Sequence, residues 1–421
     1  MKKSNRKGFT IVELVIVIAV IAILAAVLIP TFTNLIKKAN ESSDTQAVRQ
    51  MNTILSAEGA VEKNNIFDVF DALHEAGLDA KNYKPLVNGT YFFWDDKADR
   101  VVYTDGEFNV IYPKGATKEG NWFSLTQTIE AEAPANYSAG EGLTYNVSSG
   151  AEMLFVLSKI NEGDVKNATI VIPAEGIDMM GASFGIADLT TSLIISCEQD
   201  LTDDDIETAV ISNAIAIDVS YRGDGETPGH DGQYAVGLFG EINAALTIEN
   251  VTFKNIHVKN THGSGVGILV GLNEGAGTLT LKNVSIEDSS VIGHRNTGAL
   301  VGNNSGKVSI DTFTLKNVEV AAVGGRSGLI FGFANKDGKA NLTTALETAV
   351  IAVENCSYTI YQCEQNAGGI NGNIINSWAY DGNGVKKDQN GLYYIANSLI
   401  SVDSTGETTG NALFKNITGW N

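Results

Sequence analysis

The feature that most restricts how this chain can fold is a repeat in its second half. Gly267-Ile268-Leu269-Val270-Gly271, Gly298-Ala299-Leu300-Val301-Gly302 and Gly328-Leu329-Ile330-Phe331-Gly332 are copies of one element, and Gly237-Leu238-Phe239-Gly240 is a copy one residue shorter. The closing glycines, 240, 271, 302 and 332, stand 31, 31 and 30 residues apart. A second element follows each: Glu249-Asn250-Val251, Lys282-Asn283-Val284, Lys316-Asn317-Val318 and, more loosely, Glu354-Asn355-Cys356. Apolar residues alternate on both sides of the asparagines, as in Leu246, Ile248, Val251 and Phe253 around Asn250. Alternation marks strands with one buried face. The phase change at each asparagine marks a sharp bend, because asparagine tolerates a left-handed backbone. A unit this short cannot bury its apolar face alone, so the units stack as rungs of a parallel β-solenoid, with strands about 4.8 Å apart. Cys356 then takes the place of Val251, Val284 and Val318 as a small buried residue.

The Gly-x-Leu-Val-Gly-x-Asn rungs resemble the GLUG-type repeats of bacterial surface proteins. Upstream, Ser149 and Glu152 read as a capping box before an apolar helix, Met153 to Ile160, followed by a glycine turn and a strand, Ala168 to Ile172. That order is similar to the opening of pectate-lyase-like domains, and the resemblance implies a right-handed parallel β-helix. Residues 147–421 are assigned to it with its terminal caps, about eight coils in all, with Leu392 to Trp420 closing the far end.

The N-terminus imposes a different constraint. Lys2, Lys3, Arg6 and Lys7 precede 21 residues, Phe9 to Ile29, in which only Thr10 and Glu13 are polar. As a helix that run covers about 30 Å, enough to cross a bilayer core, and the basic flank keeps the extreme N-terminus cytoplasmic. A signal peptide has an apolar run of about 7–15 residues and then a small-residue cleavage site; here the run continues past Ala25-Ala26. A carboxylate inside a membrane helix is costly without a partner, so Glu13 marks a function.

Lys7-Gly8-Phe9-Thr10-Ile11-Val12-Glu13-Leu14 resembles the cleavage and methylation motif of type IV pilins and type II secretion pseudopilins. The resemblance implies cleavage after Gly8 by a prepilin peptidase, N-methylation of Phe9, and pairing of Glu13 with the terminal amine of a neighbouring subunit. Pro30 falls where many pilins carry a helix-bending proline, and by itself it removes one backbone donor and kinks the helix. The implied organisation is a leader over 1–8, a long helix over 9–59 with 9–29 in the membrane, a small head over 60–125, a linker over 126–146, and the solenoid. The fold class is thus an α+β pilin-like part followed by a mainly β solenoid.

The head is readable in outline. Ile66, Val69, Phe70 and Leu73 follow helical spacing between a capping Asn65 and a closing Gly77. Tyr91–Trp94 and Arg100–Tyr103 read as a hairpin, with a third strand from Phe108 to Tyr112; the aromatics are assigned to core. Thr126 to Gly142 is rich in Thr, Glu, Ala, Pro and Ser without periodicity, which suits a linker.

Composition narrows the chemistry. With 29 basic and 49 acidic residues the formal charge is −20, which argues against a nucleic-acid partner. Three cysteines, 197, 356 and 363, form no disulfide framework and lack metal-site spacing. A polysaccharide lyase or hydrolase on a β-helix needs carboxylates converging across coils, for acid/base work or for calcium. The best cluster, Asp224, Glu226 and Asp231 in the loop 222–231, lacks the ligand spacing of a known calcium loop and reads as a solvated turn. His262, His294, Arg295 and Arg326 precede successive glycine elements and fall along one solenoid edge, where a glycan-binding role competes with plain polar turns. No cofactor and no catalytic constellation is expected. The sequence therefore reads as a membrane-inserted, cell-surface structural subunit. Its expected partners are the prepilin peptidase, other pilin or pseudopilin subunits, and a glycan or surface-protein ligand. The rivals are a membrane-tethered polysaccharide-degrading enzyme and a type II secretion pseudopilin.

Overall fold

The computed structural model describes residues 11–57, 65–78, 81–199, 206–217, 235–322, 328–334, 345, 349–360, 400–402, 408–410 and 417–418. Helix α1, Ile11–Ala57, runs unbroken through Pro30 and is about 70 Å long. Helix α2, Ile66–Glu75, starts at Asn65, whose side chain accepts from the Phe67 amide at 2.8 Å while Asp68 accepts from the Asn65 amide at 3.2 Å. Ile66, Val69, Phe70 and Leu73 all face the core, as their spacing requires. The head sheet is antiparallel in the order β3-β2-β1-β4, from β1 Tyr91–Asp95, β2 Arg100–Thr104, β3 Val110–Tyr112 and β4 Trp122–Ser124. The third strand begins two residues later than its sequence pattern suggests. Phe108 takes a left-handed φ of 62° in the turn, and its ring packs 5.6 Å from that of Tyr91. Phe92, Phe93, Trp94, Tyr103, Trp122 and Phe123 are all buried, so the aromatics are core.

The distal region is three parallel sheets wound from one chain. The long sheet stacks Thr144–Asn146, Ala168–Ile172, Leu193–Cys197, Ala245–Lys254, Thr278–Glu287, Thr312–Lys316, Val350–Glu354 and Ile417–Thr418 in sequence order. A second sheet stacks Ile215–Ile217, His257–Gly267, Ser290–Gly298, Glu319–Ala322 and Ser357–Ile360; it is called here the head-facing sheet. The glycine sheet stacks Ile186–Leu189, Phe239–Ile242, Val270–Asn273, Val301–Asn304 and Phe331–Ala334. Phe239, Val270, Val301 and Phe331 are in register, so the four glycine elements occupy one place in successive coils. Glycine is obligatory there: a Cβ at Gly302 would lie 2.1 Å from the Val266 amide, and one at Gly271 2.5 Å from that of Val236.

The asparagine bends exist, and they form two columns rather than one. Asn250 (φ 57°) and Asn283 (φ 52°) stack mid-strand, with the Asn283 amide donating to Asn250 Oδ1 at 3.0 Å. Asn317 and Asn355 do not continue that column. Lys254, Glu287, Lys316 and Glu354 are in register, which sets Asn317 (φ 53°) and Asn355 (φ 51°) beside Asn255 (φ 58°) and Asp288 (φ 48°). The Asn317 amide donates to Asp288 Oδ1 at 2.7 Å, and that of Asn255 to Asn213 Oδ1 at 2.7 Å. The coils of Ala245–Lys254 and Thr278–Glu287 carry the charged-residue–Asn/Asp motif twice, at 249–250 and 254–255 and at 282–283 and 287–288, and the two copies are alike in sequence. Cys356 accordingly aligns with Ile256, Ser289 and Val318; it is half-buried against the solenoid core.

Helix α3, Gly150–Glu162, covers the first coils with Met153, Val156, Leu157 and Ile160. Only half of its expected capping box forms. Ser149 Oγ accepts from the Glu152 amide at 3.2 Å, but Glu152 accepts from Ser148, at the amide (2.6 Å) and at the hydroxyl (2.9 Å).

The head is docked on the solenoid. Ile215 and Ile217 of the head-facing sheet share a buried cluster with Phe67, Phe70, Trp94 and Phe123. His257 lies between the rings of Phe67 and Phe123, at 6.0 and 5.8 Å. Its Nε2 donates to Asn255 Oδ1 at 2.9 Å and its Nδ1 accepts from the Ser290 hydroxyl at 2.8 Å, which fixes the neutral tautomer. Burial pushes its pKa down to about 4. Next to it Lys259, 7% exposed, donates to Asp71 Oδ2 at 2.7 Å and Oδ1 at 3.0 Å.

Candidate assembly interface

The site with the clearest chemistry is α1, because its two halves meet different surroundings. From Ile11 to Ile36 sixteen large apolar side chains are exposed, Ile11 at 81% and Ile36 at 59%. Leaving so many in water costs on the order of 30 kcal/mol relative to burying them, so this surface requires lipid or another protein. The helix is long and apolar enough to cross a membrane. Glu13 lies in the first described turn of this exposed half. Pro30 offers no amide to the carbonyl one turn before it, and three residues on Thr33 Oγ1 donates to the Ile29 carbonyl at 2.9 Å.

The second half is locked to the head. Val48, Met51 and Leu55 are buried against α2 and the head sheet. Asp44, 2% exposed, accepts from the amides of Leu86 (2.8 Å) and Val87 (3.2 Å) and from the Tyr103 hydroxyl (3.2 Å). Burial pushes the Tyr103 phenol up to about 12, which keeps it a donor. Asn52 holds the edge of β2 from both sides, donating to the Val101 carbonyl at 2.9 Å and accepting from its amide at 2.7 Å. Arg49 Nε donates to the Tyr112 hydroxyl at 3.2 Å. These polar contacts fix the direction in which the apolar half leaves the head. Sequence reading missed Asp44, Asn52, His257 and Lys259, since a polar residue at a buried position carries no periodic signal of its own.

Of the residues singled out by sequence, Glu13 and Pro30 lie on the exposed half of α1, seventeen positions apart. Gly8, Phe9, Asp224, Glu226, Asp231, Arg326 and Cys363 lie outside the described residues. His262, His294 and Arg295 fall on adjacent strands of the head-facing sheet. Among the described residues no group of three or more His, Cys, Asp or Glu is placed to hold a metal ion.

Comparison with known proteins agrees with this division. Residues 3–29 match the prokaryotic N-terminal methylation motif. The N-terminus is pilin-like. The chain is 63% identical over 38 residues to the type IV wide pilus major component PilA4 of Thermus thermophilus, covering 9% of this chain and 29% of that protein. It is 45% identical over 53 residues to the type IV major fimbrial protein FimA of Dichelobacter nodosus, covering 13% of this chain and 34% of that protein. It is also 36% identical over 101 residues to halomucin of Haloquadratum walsbyi, covering 22% of this chain and 1% of that protein. The chain thus spans about a third or less of the length of the curated relatives it matches. No solved structure matches it.

Proposed function

We propose that this chain is a structural, cell-surface pilin-like subunit that assembles through α1 and carries the solenoid outward for adhesion. The observation that carries the reading is the continuous helix with one half exposed and apolar and the other locked under the head. The apolar half sits in the cytoplasmic membrane before assembly, with the bulk of the chain on the outer side. Prepilin peptidase removes residues 1–8, Phe9 is methylated, and Glu13 pairs with the terminal amine of a neighbouring subunit as the helices bundle. The charge pairing offsets the cost of a carboxylate in an apolar bundle. Residues 60–125 form the head, 126–146 the connection, whose last residues Thr144–Asn146 already pair into the long sheet, and 147–421 the rest of the displayed domain. A distal domain of this size crowds a closely packed fibre, which favours a minor or tip position. The role is binding rather than catalysis.

The test is the sheared surface fraction of the native host. The protein is expected there, at low abundance beside a major subunit, and Glu13→Ala is expected to remove it. Retention of the unaltered protein in the inner membrane, together with dependence on a secreted cargo, would instead favour a secretion pseudopilin.

A further inference from the structure

The head has an edge turned toward the apolar half of α1, and its charge runs against that of the chain. Asp44 is the first buried residue of α1 among the described ones. The segment it holds, Leu86 and Val87, is therefore the rim of the head nearest the apolar run. Residues 14–40 and 80–94 contain no Asp or Glu, in a chain with 49 acidic residues. They contribute Lys37, Lys38, Lys81 and Lys84, all exposed. Among the described residues no ion pair holds Lys37, Lys38 or Lys84. The nearby acid on α1, Glu41, is half-buried. Leu86, two residues after Lys84, is 59% exposed.

Helical geometry lines these groups up. Lys37 precedes Asp44 by seven residues, which is two turns, so it lies on the same face of α1, about 10 Å nearer the apolar end. The rim thus overhangs Lys37. Residues 11–36 span about 39 Å as a helix, more than the roughly 30 Å of a bilayer core. A helix too long for the core tilts, and the tilt lowers one side of whatever it carries. A tilt toward the Lys37 face brings the rim into the headgroup layer, which is about 5–8 Å thick on each side. Ammonium groups there gain from anionic lipid, and an exposed leucine gains from leaving water.

We propose that before assembly this rim rests on anionic phospholipid of the outer leaflet of the cytoplasmic membrane. Lys37, Lys38 and Lys84 pair with lipid phosphates, Leu86 enters the headgroup layer, and the contact sets the direction in which the head leans. The proposal rests on the reading that α1 spans the membrane with the head outside, and it names the lipid class that the head meets. Amine acetylation of the full chain by a water-soluble reagent tests it, in nanodiscs of phosphatidylcholine alone or mixed equally with phosphatidylglycerol, with rates read by peptide mass spectrometry. Lys84 is expected to react about fivefold more slowly in the anionic discs. Sodium chloride at about 0.5 M is expected to abolish the difference, and Lys166 of the solenoid is expected to react alike in both. Leu86→Ser, with an unchanged urea midpoint, is expected to remove at least half of the protection. Should Leu86→Ser fail to fold, the salt dependence of the unaltered protein decides. Equal rates at Lys84 in the two discs, slowing of Lys166 as large as that of Lys84, or full protection in folded Leu86→Ser overturns the proposal. Equal Lys84 rates in a protein whose native N-terminus is processed to Phe9 defeat this inference and leave the assembly reading standing. Release of the chain from native membranes by alkaline carbonate defeats the membrane reading beneath it.

Discussion

The two halves of α1 have similar helix-forming residues and opposite surroundings. Residues 11–36 expose nearly every apolar side chain, while Val48, Met51 and Leu55 are at most 1% exposed. The second half is also held by polar groups that fit one place only, Asp44 and Asn52. The first half has a continuous apolar surface and no such specificity toward the head. Substitutions in the second half should therefore act on folding, and substitutions in the first half on membrane insertion and assembly.

The largest effect on folding is expected from Asp44→Ala. It strips the acceptor from two amides and a buried phenol, and urea unfolding should show a loss of about 4 kcal/mol. Acid comes next and extends the comparison to the docked head. The pKa of His257 is depressed to about 4 from an ordinary 6.5, so the stability it contributes is fully present above pH 6.5. It is lost as pH falls from 6.5 to 4, because the unfolded chain binds the proton first, and roughly 3 kcal/mol is lost in all. His257→Phe should flatten that part of the stability–pH curve. Asn283→Ala leaves the Cβ in a left-handed bend while removing the side-chain amide that favours that backbone and ladders to Asn250, and should cost about 1–2 kcal/mol, whereas Asn283→Gly relieves the backbone strain and should cost less. Smallest is Leu28→Ser in the exposed half, within about 0.5 kcal/mol of wild type by urea unfolding in detergent. A large loss there would mean that the first half does contribute to the folded head.

The elements with a period were legible in advance. The 31-residue spacing predicted the stacked glycine corners, whose register the structure reproduces. The left-handed asparagines followed from the phase change in the alternation. The column of Asn317 and Asn355 was misassigned because Lys-Asn or Glu-Asn recurs within one coil, and local sequence cannot say which bend a copy serves. Docking of the head was not legible at all. His257 and Lys259 look like outward-facing polar positions of a strand, and only the approach of α2 turns that face into an interior. The apolar half of α1 and its motif were plain, because an uninterrupted apolar run with one carboxylate has few physical solutions.

The central claim is that the exposed half of α1 is a processed assembly helix. The most direct measurement is the mass of the N-terminal peptide of the protein purified from the envelope of its native host. A peptide beginning at N-methylated Phe9 is the predicted result. A peptide beginning at Met1 would contradict the account, leaving the helix a plain membrane anchor.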